Sequence, residues 1–201
     1  KIFKKKPNNL IGVTGTNGKS SIANFYFQIL TLNRIKAASI GTLGVTGLKV
    51  KKNFSNTTFD TIQINKILKK LKERRIENVI LEASSHGLNQ NRLDGLEFDI
   101  GIFTNLTRDH LDYHKTFKNY FNSKLILFKK LLKKKSYAIF DEGLKISPKL
   151  SRITKLNKIE KFTIGNTKSS FEILDHQFLK NEQKILFRFN KKQYSFSTKL
   201  I

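Results

Sequence analysis

The sequence predicts an α/β protein with a mostly parallel sheet flanked by helices and an added antiparallel β portion near the C-terminus. Three observations carry this. Short apolar runs alternate with stretches of helical spacing from residue 10 to about residue 140, the pattern of strands and crossover helices. A Gly-rich turn lies between the first run and the first helical stretch. After about residue 160 the character changes to short alternating runs divided by turn residues.

The elements follow in order. Leu10-Ile11-Gly12-Val13-Thr14 is a short apolar run. Ile22, Ala23, Phe25, Tyr26, Ile29 and Leu30 then recur at helical spacing. Ala37 to Ile40 is a second strand candidate, and residues 41–58, rich in Gly, Thr, Asn and Ser, read as loop. Ile64, Ile67, Leu68 and Leu71 mark an amphipathic helix over 60–75 with a basic outer face. Val79-Ile80-Leu81 is a buried strand running into Glu82, and Phe98 to Phe103 is another running into Thr104-Asn105. The spacing of Phe117, Tyr120, Phe121, Leu125 and Phe128 predicts one long helix over about 115–133, before a strand at Tyr137 to Phe140. Phe162 to Ile164, Phe171 to Leu174, Ile185 to Phe189 and Tyr194 to Phe196 make up the β-rich portion, 160–201.

Composition narrows the function. The 201 residues include 39 Lys or Arg and 15 Asp or Glu, a net charge of +24, and no Cys. Thiolate metal sites, disulfide scaffolds and cysteine nucleophiles are therefore excluded. No apolar run approaches ~18 residues, and the start lacks an apolar signal core, so no membrane span and a cytoplasmic location are expected. The charge raises the alternative of a basic nucleic-acid-binding module. The basic clusters (Lys4 to Lys6, Lys69-Lys70, Lys129-Lys130, Lys133 to Lys135, Lys191-Lys192) are scattered, which reads as solvated faces, and no nucleic-acid partner is expected. The chain begins at Lys1 and closes on a strand-like run, so it reads as a piece of a longer protein.

Gly12-Val13-Thr14-Gly15-Thr16-Asn17-Gly18-Lys19-Ser20 opens a helix after a buried strand, so the fold is P-loop-type. Glycines let backbone N–H groups approach phosphate oxygens at the positive end of the helix. Lys19 would meet the β/γ-phosphates and Ser20 would ligate Mg²⁺. The strict spacing wants Gly at position 13, where Val stands. Glu82, at a strand end, can complete the Mg²⁺ shell with Ser20.

Ser84-Ser85-His86-Gly87 places serines beside a base, but the Gly-x-Ser-x-Gly elbow is absent. His110 and His114 stand at zinc-binding spacing, but Leu111 occupies the place where the metalloprotease motif needs Glu. The stretch Thr104 to His114 follows a strand end, so its polar groups are expected to face the phosphate-loop cleft.

Together, Gly12 to Ser20, Asn56-Thr57-Thr58, Glu82 to Leu88, Gln90-x-Arg92 and Thr104 to His114 resemble the central, ATP-binding domain of the Mur ligases. Within that family they are similar to the branch that adds the third residue of the peptidoglycan peptide to UDP-N-acetylmuramoyl-L-alanyl-D-glutamate. The phosphate loop alone also fits Mur-like ligases of the folylpolyglutamate synthetase type, or another P-loop NTPase. The resemblance implies an ATP- and Mg²⁺-dependent amide ligase working through an acyl phosphate, with the muramoyl dipeptide and a diamino acid, meso-diaminopimelate before L-lysine, as substrates. It implies that Gly15, Thr16, Asn17, Gly18, Lys19, Ser20 and Ser21 hold ATP, and that Asn56, Thr57, Thr58, Ser84, Gln90 and Arg92 contact the dipeptide. It makes Lys19, Glu82, His110 and Lys124 the catalytic set. Ser20, Glu82, His110 and Lys124, the last as a CO₂-derived carbamate, would serve the metals. Composition and spacing do not single out Lys124. Phe59 stands where many relatives have Pro, and Lys115 where Gly is frequent. The resemblance runs from about residue 8 to 201 and implies that 1–201 is a central domain without the N-terminal UDP-binding and C-terminal domains of the relatives, so this fragment alone is expected to be inactive.

Overall fold

The computed structural model describes residues 6–48 and 57–199. The sheet is built outward from β1 (Asn9–Thr14), which pairs in parallel with β4 (Asn78–Glu82) on one side and β5 (Phe98–Phe103) on the other. Beyond β4 lie parallel β2 (Ala37–Gly41) and the two-residue β3 (Gly44–Val45). Beyond β5 lie parallel β6 (Leu132–Asp141) and β7 (Glu160–Gly165). β8 (Phe171–Phe178), β9 (Gln183–Phe189) and β10 (Lys192–Thr198) follow as an antiparallel meander. The meander joins β7 in parallel through the register pairs Ile164–Phe171 and Gly165–Glu172. The order is β10-β9-β8-β7-β6-β5-β1-β4-β2-β3, the mostly parallel sheet with antiparallel addition that the sequence predicts.

The two faces of the sheet are unequally served. On one face α1 (Lys19–Leu32) buries Ala23 against Ile11, Val13 and Ile80. On the other, α2 (Thr61–Glu73) contributes Ile64, Leu68 and Leu71, α3 (Ser85–Asn89) contributes Leu88, and α5 (Phe117–Ile126) contributes Phe121 and Leu125. α4 (Leu111–His114) is a single turn leading into α5. The long helix expected over 115–133 stops at Ile126. A π-helical turn, Leu127–Leu131, follows, and the chain is already extended from Leu132. The reason is tertiary: the segment from Leu132 pairs with β5 and, from Tyr137, with β7, and the Lys133 ammonium adds an ion pair to Asp99 at 2.6 Å. The π turn still buries Leu127, Phe128 and Leu131. A further helix, α6 (Ser147–Leu156), has Pro148 in its first turn and buries Leu150 and Ile153. Its signal is short, and the sequence reading does not include it. Among the described residues no helix is long and apolar enough to cross a membrane.

Ligands of open parallel sheets sit at the C-terminal strand ends. Here those ends are Thr14, Glu82 and Phe103, on three adjacent strands.

Candidate active site

The loop after β1 is shaped by what surrounds it. A Cβ on Gly12 would lie 2.8 Å from Leu127 Cδ1. Gly15 has φ +145, and a Cβ there would collide with the Thr104 hydroxyl. The segment after β5 fastens the loop from the side: Thr104 N donates to Thr14 O, and Thr16 N donates to Asn105 O. Asn17 N donates to Asn105 Oδ1 at 2.9 Å, and Thr104 Oγ1 donates to Asn17 O at 2.6 Å. Gly18, at φ +82, begins α1 with no side-chain cap and no acid in the first turn. The leading N–H groups and the positive helix end are thus left for an anion. By contrast, α2, α3 and α5 are capped by Asp60, Ser84 and Thr116. Lys19 folds back, its ammonium donating to Gly15 O at 3.1 Å and Thr16 O at 2.7 Å. Burial lowers its pKa, and the charges of Glu82 and Asp109 oppose that shift.

On one side of the loop stands Glu82, only 2% exposed. Its Oε2 accepts from Ser20 Oγ at 3.0 Å and from Thr42 Oγ1 at 3.2 Å, and its Oε1 accepts from Thr42 N at 3.0 Å. Gly41 makes room, since a Cβ there would overlap the carboxylate. Every one of these donors is neutral, and no ion pair holds Glu82 among the described residues. A buried carboxylate with no ion-pair partner among the described residues, beside a serine hydroxyl, is a hard-oxygen donor set that fits Mg²⁺. Such an ion takes one or two protein ligands and completes its shell with phosphates and water.

On the other side the site is aromatic and cationic. His86 lies 4.8 Å from His110, 5.4 Å from His114 and 4.2 Å from Tyr113, ring centre to ring centre. Burial, then the charge of neighbouring histidines, lowers the pKa of His86 and of His114. Lys124 is 1% exposed on α5. Its ammonium donates to Gly15 O at 2.6 Å and sits 4.3 Å from the centre of the Tyr120 ring. Burial first, and Lys19 second, bring its pKa down to about 7. Two lysines thus converge on one carbonyl. Tyr120 closes the back of the loop, its hydroxyl 2.9 Å from Thr16 Oγ1, which also accepts from Thr107 N at 3.0 Å.

Of the residues that the resemblance gives to the dipeptide, Thr57, Thr58, Ser84 and Arg92 connect to the Glu82 strand end directly or through one neighbour. Thr58 Oγ1 donates to Glu82 O at 2.8 Å and lies 2.9 Å from Ser84 Oγ. Arg92 Nη1 donates to Thr58 O at 2.6 Å, and Gln90 Nε2 donates to the Tyr113 hydroxyl at 3.1 Å. Thr57 Oγ1 lies 3.1 Å from Thr42 Oγ1. Asn56 lies outside the described residues. Ser84 Oγ accepts from Gly87 N, capping α3. His110 stands among the other histidines. Thr42 and Tyr120 were not singled out from sequence, where Thr42 is a loop residue and Tyr120 reads as part of an apolar stripe. The Gly41 beside Thr42 at a strand end was the one available signal.

The comparisons with known proteins agree with this geometry. The model of the Mur ligase middle domain matches residues 13–201. The UDP-N-acetylmuramoyl-L-alanyl-D-glutamate–2,6-diaminopimelate ligase of Rickettsia conorii is 39% identical over 204 residues, covering 100% of this chain and 42% of its own length. A solved structure of a ligase of that name superposes with a TM-score of 0.86 at 27% identity, over 98% of this chain and 40% of its own. The apo form of L. casei FPGS, a folylpolyglutamate synthetase, shares the fold at TM-score 0.72 and 10% identity, over 98% of this chain and 54% of its own. The chain spans about 42% of the length of the Rickettsia relative. With its loop, its strand-end carboxylate and its match from residue 13 to residue 201, this chain belongs to the Mur ligase family, as a middle domain.

Proposed function

We propose that the protein, in its full-length form, is an ATP-dependent amide ligase that adds meso-diaminopimelate to UDP-N-acetylmuramoyl-L-alanyl-D-glutamate in peptidoglycan synthesis. The observation that carries this reading is the uncapped phosphate loop set between the cation-free Glu82–Ser20 pair and the buried Lys124. The likeness to diaminopimelate ligases at 39% identity over the whole chain favours them over the folylpolyglutamate synthetase fold neighbours at 10%.

The residues divide the work. Residues 15–21 hold the triphosphate, and Lys19 leaves its two carbonyl partners to meet the γ-phosphate. Ser20 and Glu82 would hold one Mg²⁺, and His110 with the Lys124 carbamate a second. These ions neutralise phosphate charge. Thr57, Thr58, Ser84, Gln90 and Arg92, with Asn56, place the dipeptide so that its D-Glu carboxylate attacks the γ-phosphorus in line. The acyl phosphate so formed is then attacked by the amine, and phosphate leaves. The protein's part is positioning and charge neutralisation. Lys124 suits carbamylation because its pKa near 7 leaves free amine at neutral pH, and free amine is what adds to CO₂. The conversion replaces a cation crowding Lys19 with an anion. The chain acts as the central domain, with uridine-binding and amino-acid-selecting domains supplied by the rest of the polypeptide, in the cytoplasm.

ADP release by the full-length protein is the test. Turnover is expected only with both the muramoyl dipeptide and diaminopimelate present; turnover indifferent to both defeats the ligase reading. Residues 1–201 alone are expected to show no tripeptide synthesis.

A further inference from the structure

Thr42 lies in the loop after β2, exposed to solvent, yet it touches the Glu82 carboxylate with two groups. Its amide donates to Oε1. Its hydroxyl has a single proton and two acceptors within reach, Glu82 Oε2 at 3.2 Å and Thr57 Oγ1 at 3.1 Å. The hydroxyl of Thr42 therefore bridges the carboxylate assigned to the metal and a threonine assigned to the dipeptide.

We propose that Thr42 is a positioning residue that couples metal–nucleotide binding at Glu82 to dipeptide binding at Thr57. This rests on the function proposed above. With no cation present, the buried carboxylate is the stronger acceptor and takes the Thr42 proton. A divalent ion held by the Glu82 carboxylate would weaken that acceptor, and the Thr42 hydroxyl would then donate to Thr57. A hydroxyl that accepts a hydrogen bond becomes a better donor, so Thr57 then binds an oxygen of the dipeptide more tightly. Throughout, the Thr42 amide keeps Oε1 in place. Gly41 is required at the adjacent position because the carboxylate fills the space of its Cβ. The coupling is reciprocal: the dipeptide must raise metal affinity by the same factor.

The experiment uses the full-length protein and two variants, Thr42→Val, which keeps shape and amide but loses the hydroxyl, and Thr42→Ser, which keeps the hydroxyl. Calorimetry measures dipeptide affinity with a non-hydrolysable ATP analogue, with and without Mn²⁺. Electron paramagnetic resonance measures Mn²⁺ affinity with and without dipeptide, a readout independent of turnover. In the wild type each ligand is expected to tighten the other by about 5-fold, within the usual range of coupling between sites. In Thr42→Val the factor falls to near 1, and Thr42→Ser restores it. Nucleotide binding without metal is expected to be the same in all three. Because Thr42 is exposed, the valine variant should fold, and its melting temperature checks this. Unchanged coupling in Thr42→Val, or failure of serine to restore it, overturns the proposal while leaving the ligase reading intact. A wild type that binds the analogue with no dependence on Mn²⁺ overturns both.

Discussion

The two flanks of the phosphate loop are built on opposite principles. On the Glu82 side a buried anion is met by neutral hydroxyl and amide donors, so the geometry is set before any ligand arrives. On the Lys124 side two ammonium groups share the Gly15 carbonyl; burial lowers both pKa values, and repulsion from Lys19 adds to the shift of Lys124. The first flank is a buried anion set by neutral donors; the second crowds two ammonium groups, and the carbamate proposed at Lys124 would replace one of them with an anion. One loop can thus carry a preorganised anion on one side and crowded cations on the other.

The largest effect expected from breaking this arrangement is at Lys19, which serves both flanks. Lys19→Met should reduce single-turnover ADP formation by about 1000-fold, the scale for removing a charge that stabilises a transition state. Next is the anionic flank alone. Gly41→Ala forces the Glu82 carboxylate from its position and should weaken Mn²⁺ affinity by about 10-fold or more, of order 1.4 kcal/mol, with metal-free nucleotide binding unchanged.

The cationic flank is tested by pH. Lys124 titrates near 7 in the folded chain against an ordinary value of 10.5. Between those values the unfolded chain binds more protons, so unfolding free energy rises with pH across that window. Denaturant melts at several pH values should show this rise in the wild type and a smaller one in Lys124→Met, where only the lowered pKa of Lys19 remains. Over the same range ¹³C-labelled bicarbonate should give a carbamate resonance that grows through about pH 7 and is missing from the variant. The smallest effect should follow Thr116→Ala, which removes the cap of α5. It is expected to cost about 1 kcal/mol in a denaturant melt and to loosen only the helix that carries Lys124.

The site was legible in sequence where chemistry is local. Gly12 to Ser20 follows a buried strand and opens a helix, and the Glu82 strand end needs nothing but the apolar run before it. Lys124 was legible only through family resemblance, because one lysine among many carries no mark of burial. Thr42 was not legible: its importance is the distance to Glu82, forty residues away in the chain. The helix expected to reach residue 133 is α-helical to Ile126 and a π turn to Leu131; the lysines that follow go into strand because β5 and β7, remote in sequence, pair with that segment.

Hydrophobic periodicity, glycine placement and the order of runs thus determined the parallel sheet, the phosphate loop and the strand-end acid, since each depends on neighbours within a few residues. Tertiary structure alone decided which lysine is buried, which hydroxyls reach Glu82 and where the α5 segment stops. Burial, charge repulsion and hydrogen-bond distance arise only when segments remote in sequence are brought side by side.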